Sequence, residues 1–417
     1  MYPRPRPVWG GHLARVLLAL ILVSLVAACA QPTPTPQPVT IDFAFFEADE
    51  AYYQALATAF SREHPNTTIN LLPRDWGILE RLEADDADVF VVYYLLRERL
   101  ERGDLVSLDT WLTADEAFDR DDLYRGTLSL YTRDGKTWAI PAAVDVDVMY
   151  YNKDLFDERQ VAYPKLDWTW EDFIFSAQNL TDASIGLYGY AAGASPEDPV
   201  LFVIQHGGKL VDDWQSPTRT TLDDPLTIEA LEWYADLIYR HGVSPTPEEA
   251  RRLFSGGQYA LYAGVVSGKI GLWTSNYSAQ GGRTWGRKWE FRWGLTTLPR
   301  DKEAATLARV EGLAISSQAE NPEACWQWIS FLSRQVPARL APARRSVAES
   351  LAFEQQAGAE AAAVARASLE QAILIPPDIQ EMYDRLGRLW TEVVEEVLSG
   401  EVTAQEALTR AQAEAQK

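Results

Sequence analysis

The chain has 417 residues, with 60 acidic against 38 basic side chains and a formal net charge of −22. A surface that acidic repels phosphate backbones and argues against nucleic acid as a partner. The length is enough for two or three domains with ample core.

Arg4, Arg6 and Arg15 precede the first acid, Asp42, and Val16 to Ala28 is apolar apart from Ser24. This is the pattern of a signal peptide over residues 1–28, with a basic start and an apolar stretch too short to span a bilayer comfortably. Val26, Ala27, Ala28 and Cys29 resemble the lipobox of bacterial lipoproteins, which makes Cys29 the expected lipidation site; an ordinary signal peptide is the alternative. Pro32, Pro34, Pro36 and Pro38 follow in a segment that favours polyproline II, so 29–39 reads as a lipidated cysteine on an extended stalk. With Cys29 lipidated, Cys325 is left without a partner inside the chain and reads as an apolar filler on a helix.

From Thr40 to Phe46 the pattern is a first strand. Tyr52 to His64 is an amphipathic helix with Tyr53, Leu56, Ala57 and Phe60 on one face, and Thr68 to Leu72 is a second strand, completing a β-α-β unit. Ile78 to Leu82 predicts a short helix, Ala87 to Val92 a buried parallel strand, and Leu95 to Leu105 a further helix. Thr113 with Glu116 predicts a capping box.

Trp138 to Ala143 reads as an approach strand, Val144 to Tyr151 as a second apolar run, and Asn152 to Phe156 as a helix start. Alternation puts Asp145 and Asp147 on one face and Val144, Val146 and Val148 on the other. Because an uncompensated buried charge costs several kcal/mol, the two aspartates are expected to face a water-lined gap. Thr169 with Asp172 predicts another cap, and Asp224-Pro225 starts a helix that stops at Gly242. Trp289 to Pro299 and Val310 to Ser316 read as strands, and Asn321-Pro322-Glu323 opens a helix to Leu332. Everything after Ala348 is helical in pattern, ending in a helix capped by Thr403 with Glu406.

The run Tyr150, Tyr151, Asn152, Lys153, Asp154, Leu155 and Phe156 resembles the crossover segment of the family 1 extracellular solute-binding proteins, the maltose-binding-protein-like class. Thr169, Trp170 and Phe173, the passage Phe254 to Gly264, and the turn Leu340 to Val347 match further family patterns in the same order. The resemblance covers nearly all of the chain beyond residue 39. It implies an α/β, two-lobe periplasmic-binding-protein-like fold of type II with lobes joined by hinge crossovers. The first lobe is expected to combine 40–144 with 296–345, and the second 145–295 with 346–417. The crossings fall at Asp145, at Leu295 to Pro299 and at Pro342 to Val347. It also implies an extracytoplasmic, membrane-anchored receptor that delivers a small molecule, a sugar, to the permease subunits of an ABC importer.

No metal-ligand spacing joins His12, His64, His206 and His241, and no phosphate loop, dinucleotide fingerprint or nucleophile elbow is present, so neither cofactor nor catalysis is expected. Tryptophan is frequent, at 15 residues. Trp170, Trp233, Trp326, Trp328 and Trp390 lie on amphipathic helices and read as core. Strand ends and loops supply the ligand-binding candidates Glu47, Trp76, Tyr93, Tyr94, Trp273 and Arg345, with aromatic faces for sugar C–H surfaces and charged groups for hydroxyls. Trp285 and Trp289 are candidates for a rim. Asp145 stands where both lobes reach a ligand, or is a hinge carboxylate bonded to backbone. Glu311 occupies a place where the family often has a small residue; Arg345 is a candidate partner for it, the alternative being that Arg344 and Arg345 are solvated. These acids keep a second ligand class open, an amino-acid or polyamine-like cation, and a secreted carbohydrate-active enzyme is the third reading.

Overall fold

The computed structural model describes residues 38–79, 81–93, 97–194, 198–214, 217–279, 283–284, 287–374 and 380–416. Alternating apolar residues make β1 (Val39–Phe46), whose Ile41, Phe43 and Phe45 are fully buried. Helix α1 (Glu50–Glu63) returns the chain to β2 (Thr67–Arg74), parallel to β1, and β3 (Val89–Val92) lies parallel to β1 on its other side. Tyr53 and Phe60 of α1 pack on Phe43 and Trp328.

The central element is β4 (Ala139–Asn152), a single strand of 14 residues where two runs were expected. Asn152 ends it by accepting from the backbone N–H groups of Asp154 and Leu155, which starts helix α2 (Lys153–Glu158). The predicted cap at Thr169 is a complete capping box on α3 (Trp170–Leu180). Beyond it come β5 (Tyr188–Tyr190), α4 (Asp198–Gln205), α5 (Pro225–Tyr239) with Asp224 as cap, and β6 (Ile270–Asn276). Next are β7 (Trp293–Thr296), β8 (Thr306–Ile315), α6 (Pro322–Leu332) and β9 (Ala341–Pro342). The chain continues through α7 (Ala359–Glu370), β10 (Ala372–Leu374), α8 (Gln380–Ser399) and α9 (Ala404–Ala415).

The strands form one sheet in the order β2-β1-β3-β8-β4-β6-β5, with β7 and β9 on β4 and β10 on β8. The first half of β4 pairs antiparallel with β8, from Ala139 opposite Ala314 to Val146 opposite Ala308, and its second half pairs with β6 and β7. The apolar residues divide into two cores. One surrounds Phe43, Phe90, Ile140, Leu313 and Trp328, and the other Phe156, Phe173, Phe202, Leu237 and Trp390.

Several expectations change. Thr113 caps nothing, because it sits in the last turn of the helix Asp109–Ala114 with its hydroxyl on the Asp109 carbonyl. The return passage is β8 rather than Leu295 to Pro299, since β7 stays beside Met149 to Asn152 in the second half of β4. The helical stretch after Ala348 is broken by β10, which lies parallel to β8. Asn321 gives α6 no side-chain cap, and the helix starts on Pro322. The five helix tryptophans lie as expected, four of them buried and Trp233 half-buried against Trp170, and Cys325 is buried and free.

Gly312 follows a register shift in β8 and lies under Tyr131, whose hydroxyl donates to the carbonyls of Val310 and Val92. A Cβ there would sit 2.5 Å from Tyr131 Cζ. Gly312→Ala is therefore expected to destabilise the fold by about 1–3 kcal/mol, read as a lower urea midpoint.

Candidate functional site

The register of β4 and β8 builds the site. Asp145 lies opposite Arg309 and Ala143 opposite Glu311, so these side chains share one face of the seam. Asn276, at the end of β6, donates its Nδ2 to Asp145 Oδ2 at 3.0 Å, and Arg309 Nε stands 3.8 Å from the same oxygen. Asp145 thus joins groups paired with both halves of β4, and its side chain keeps 17% exposure. Asp147, expected in the same open gap, is instead buried.

Tyr93, just past the end of β3, donates to Glu311 Oε2 at 2.6 Å. Glu311 is only 7% exposed, and burial pushes its carboxyl up to about 7, while the Tyr93 hydrogen bond acts in the opposite direction. Burial, with Glu311 next, holds the Tyr93 hydroxyl well above its ordinary range. A cavity of about 20 Å³ lies beside Glu311, lined also by Asp49, Tyr52, Ala143 and Arg339. Asp49 is buried and takes two bonds from Arg339, from Nε at 2.7 Å and Nη2 at 2.8 Å, and this guanidinium lies over the Phe46 ring. That bidentate contact holds the Arg339 pKa above its usual value.

Of the sequence candidates, Tyr93, Asp145 and Glu311 come together here. Glu47 is exposed on the turn after β1, and Asp49, two residues on, takes the buried place. Trp76 opens the short helix Trp76–Leu79 after β2, and Tyr94 lies outside the described residues. Trp273 is opposite Tyr150, an even-numbered position of β4, and so belongs to the face away from Asp145. It is 1% exposed, stacked on Tyr150 and edge-on to Trp289 and Phe291, so it offers no ring face to a ligand in this conformation. Trp289 is buried in the same cluster rather than forming a rim, and Trp285 is outside the described residues. Arg345 does not pair with Glu311: it forks onto Glu370 and covers the Tyr124 ring. Arg344 is buried on the carbonyls of Ser333 and Asp119.

Arg309, Asn276, Asp49 and Arg339 were not among the candidates. Arg309 shares the alternation of Glu311 and was within reach of a pattern argument. Asp49 and Arg339 are 290 positions apart and carry no local signal.

A family model for bacterial extracellular solute-binding proteins matches residues 47–335. The chain belongs to that family. An arabinooligosaccharide-binding protein of Halalkalibacterium halodurans is 30% identical over 154 residues, which are 34% of this chain; the match spans only about a third of that relative, 33% of its length. An ABC substrate-binding protein from Listeria monocytogenes, solved in complex with cycloalternan, superposes with a TM-score of 0.71 at 22% identity, covering 91% of this chain and 98% of that one. The sugar-binding protein MalE from Xanthomonas citri also reaches 0.71, at 18% identity, covering 90% and 96%. The two-lobe, maltose-binding-protein-like α/β fold of the solute-binding proteins is thus shared by this chain.

The Asp49–Arg339 pair is open to a direct test. Arg339→Met leaves a buried carboxylate unpaired and is expected to cost about 2–4 kcal/mol, below the fully buried range because Arg339 is 28% exposed. Adding Asp49→Asn should recover most of the loss in urea denaturation, since the orphaned charge is then gone.

Proposed function

We propose that this solute-binding protein captures a neutral, hydroxyl-rich small molecule, a sugar, between its lobes and presents it to the permease subunits of an ABC importer. The observation that carries this reading is the charge balance of the seam. Asp145 stands beside Arg309, Asp49 is forked by Arg339, and burial keeps Glu311 largely proton-bearing up to about neutral pH. Such a site presents donors and acceptors without a strong net charge, which suits hydroxyls better than an ammonium group. It equally disfavours a glycosidase reading, because Asp49 and Asp145 already hold cationic or amide partners instead of standing ready as acid and base. Family membership and the sugar-binding proteins among its relatives support the same choice.

In this reading the boundary expected at 296 moves with the crossing to about Arg309, and the lobes, 40–144 with about 309–345 and 145–308 with 346–417, turn about β4 near Asp145, β8 near Arg309 and the segment 342–347. Ligand selects the closed form because contacts from both lobes exist only there. Thermal-shift titration with arabinotriose, maltotriose, putrescine and arginine separates the ligand classes. A sugar at 100 times its Kd should stabilise the protein by about 2.7 kcal/mol, and small-angle scattering at that concentration should show a smaller radius of gyration. Stabilisation by the amines alone would establish the cation reading instead.

The reading also places the protein outside the cytoplasm, tethered through lipid on Cys29 with 30–39 as spacer. Mass spectrometry of membrane-extracted protein should find residues 1–28 removed and acyl chains on Cys29, and Cys29→Ser should release the protein from membranes.

A further inference from the structure

Glu311 is placed unlike the other acids of the seam. Asp49 and Asp145 each stand within ion-pair distance of an arginine, whereas Glu311 accepts a hydrogen bond from the neutral hydroxyl of Tyr93. It stands at the register shift of β8, where Glu311 pairs with Ala143 but Gly312 with Pro141, so Ala142 is extra in β4 and the ladder is already interrupted. The charged and titratable groups around it come from every packed element. Tyr52 and Tyr53 are on α1, Asp49 on the turn after β1, and Tyr93 beyond β3. Asp145 is on β4, Arg309 on its own strand, and Arg339 on the segment before β9. Two carboxylates of this set oppose its ionisation and Arg339 favours it, while removal from water adds the largest opposing contribution. The water-sized cavity beside it gives solvent a route to the carboxyl if the seam loosens.

We propose that Glu311 is a proton-operated switch in the hinge seam: protonated, it tolerates its dry place at the register shift and lets β4 and β8 pack; ionised, it draws water into the register shift and holds the lobes further apart. The switch needs no bound solute, so it stands or falls independently of the ligand class. If the seam also tightens on ligand, proton uptake at Glu311 accompanies capture.

The direction of the pH effect follows from linkage. The folded protein holds the Glu311 proton up to about pH 7, while the unfolded chain releases it near the ordinary 4.5. Folded-state stability from this group is therefore fully present below about 4.5 and is lost as pH rises toward 7, remaining at its lower level above that. The test uses ligand-free protein lacking the leader, with unfolding temperature and radius of gyration measured from pH 4.5 to 9. Wild type should lose unfolding temperature relative to Glu311→Gln across this window, and its radius of gyration should rise in the same range while that of Glu311→Gln stays flat. Tyr93→Phe removes the hydrogen bond that favours the ionised form and should move the midpoint to higher pH. Parallel curves for wild type and Glu311→Gln would overturn the proposal. Should Glu311→Gln fail to fold, a midpoint unmoved in Tyr93→Phe would overturn it equally.

Discussion

The antiparallel pairing of β4 with β8 is the constraint on which the rest of this molecule depends. Both strands are long, and β4 hands its partners over midway, from β8 and β9 to β6 and β7. Each half of the sheet can therefore grow its own layer of helices while sharing one strand, along which one apolar cluster runs from Phe43 and Ile140 to Tyr150 and Trp273. The handover falls where Asp145 stands, so polar groups held by different partner strands meet there without long loops to position them. Side chains on such strands are fixed by packing and register, which is the condition for a preorganised binding surface.

Parity along β4 sorts the two faces. Val144, Val146, Val148 and Tyr150 point to the side where Trp273 and Trp289 pack, and Asp145 and Asp147 point to the other. A one-residue slip would carry the carboxylates into the aromatic cluster and the valines to the cleft, so the apolar side specifies the register strongly. The aromatic cluster thus acts on the site from behind, by holding the strand that presents Asp145.

Much of this was legible beforehand. The β-α-β start, the helix caps at Asn152, Thr169 and Asp224, and the placing of Asp145 on the side of β4 opposite the valines all arise from local chemistry: a period-two pattern, a side-chain oxygen placed before a helix, a proline at its first turn. Tyr93, Asp145 and Glu311, which the structure brings together, could be singled out because they stand at strand ends or break an apolar strand. The burial of Trp273 opposite Tyr150 was not foreseen, since its partner on β4 had to be known before its face could be assigned. Arg345 and Arg339 illustrate the harder limit. Each is an arginine close to β9, and only the packing of α1, α6 and α7 decides that Arg339 forks onto Asp49 while Arg345 forks onto Glu370. Pairings made across 290 residues, or even across 25, leave no local trace.

The overall charge of the chain says little about the charge its site offers. Surface acids dominate the total of −22, yet at physiological salt their influence decays over about 8 Å. Inside the seam the balance is set by neighbours within bonding distance, two arginines against three carboxyls, one of which burial leaves only about half ionised at neutrality. Reading ligand charge from composition would have pointed to a cation. The near-neutral seam is instead a product of local pairing, and it follows that single substitutions at Arg309 or Arg339 would change the charge the seam offers far more than any number of changes among the exposed acids.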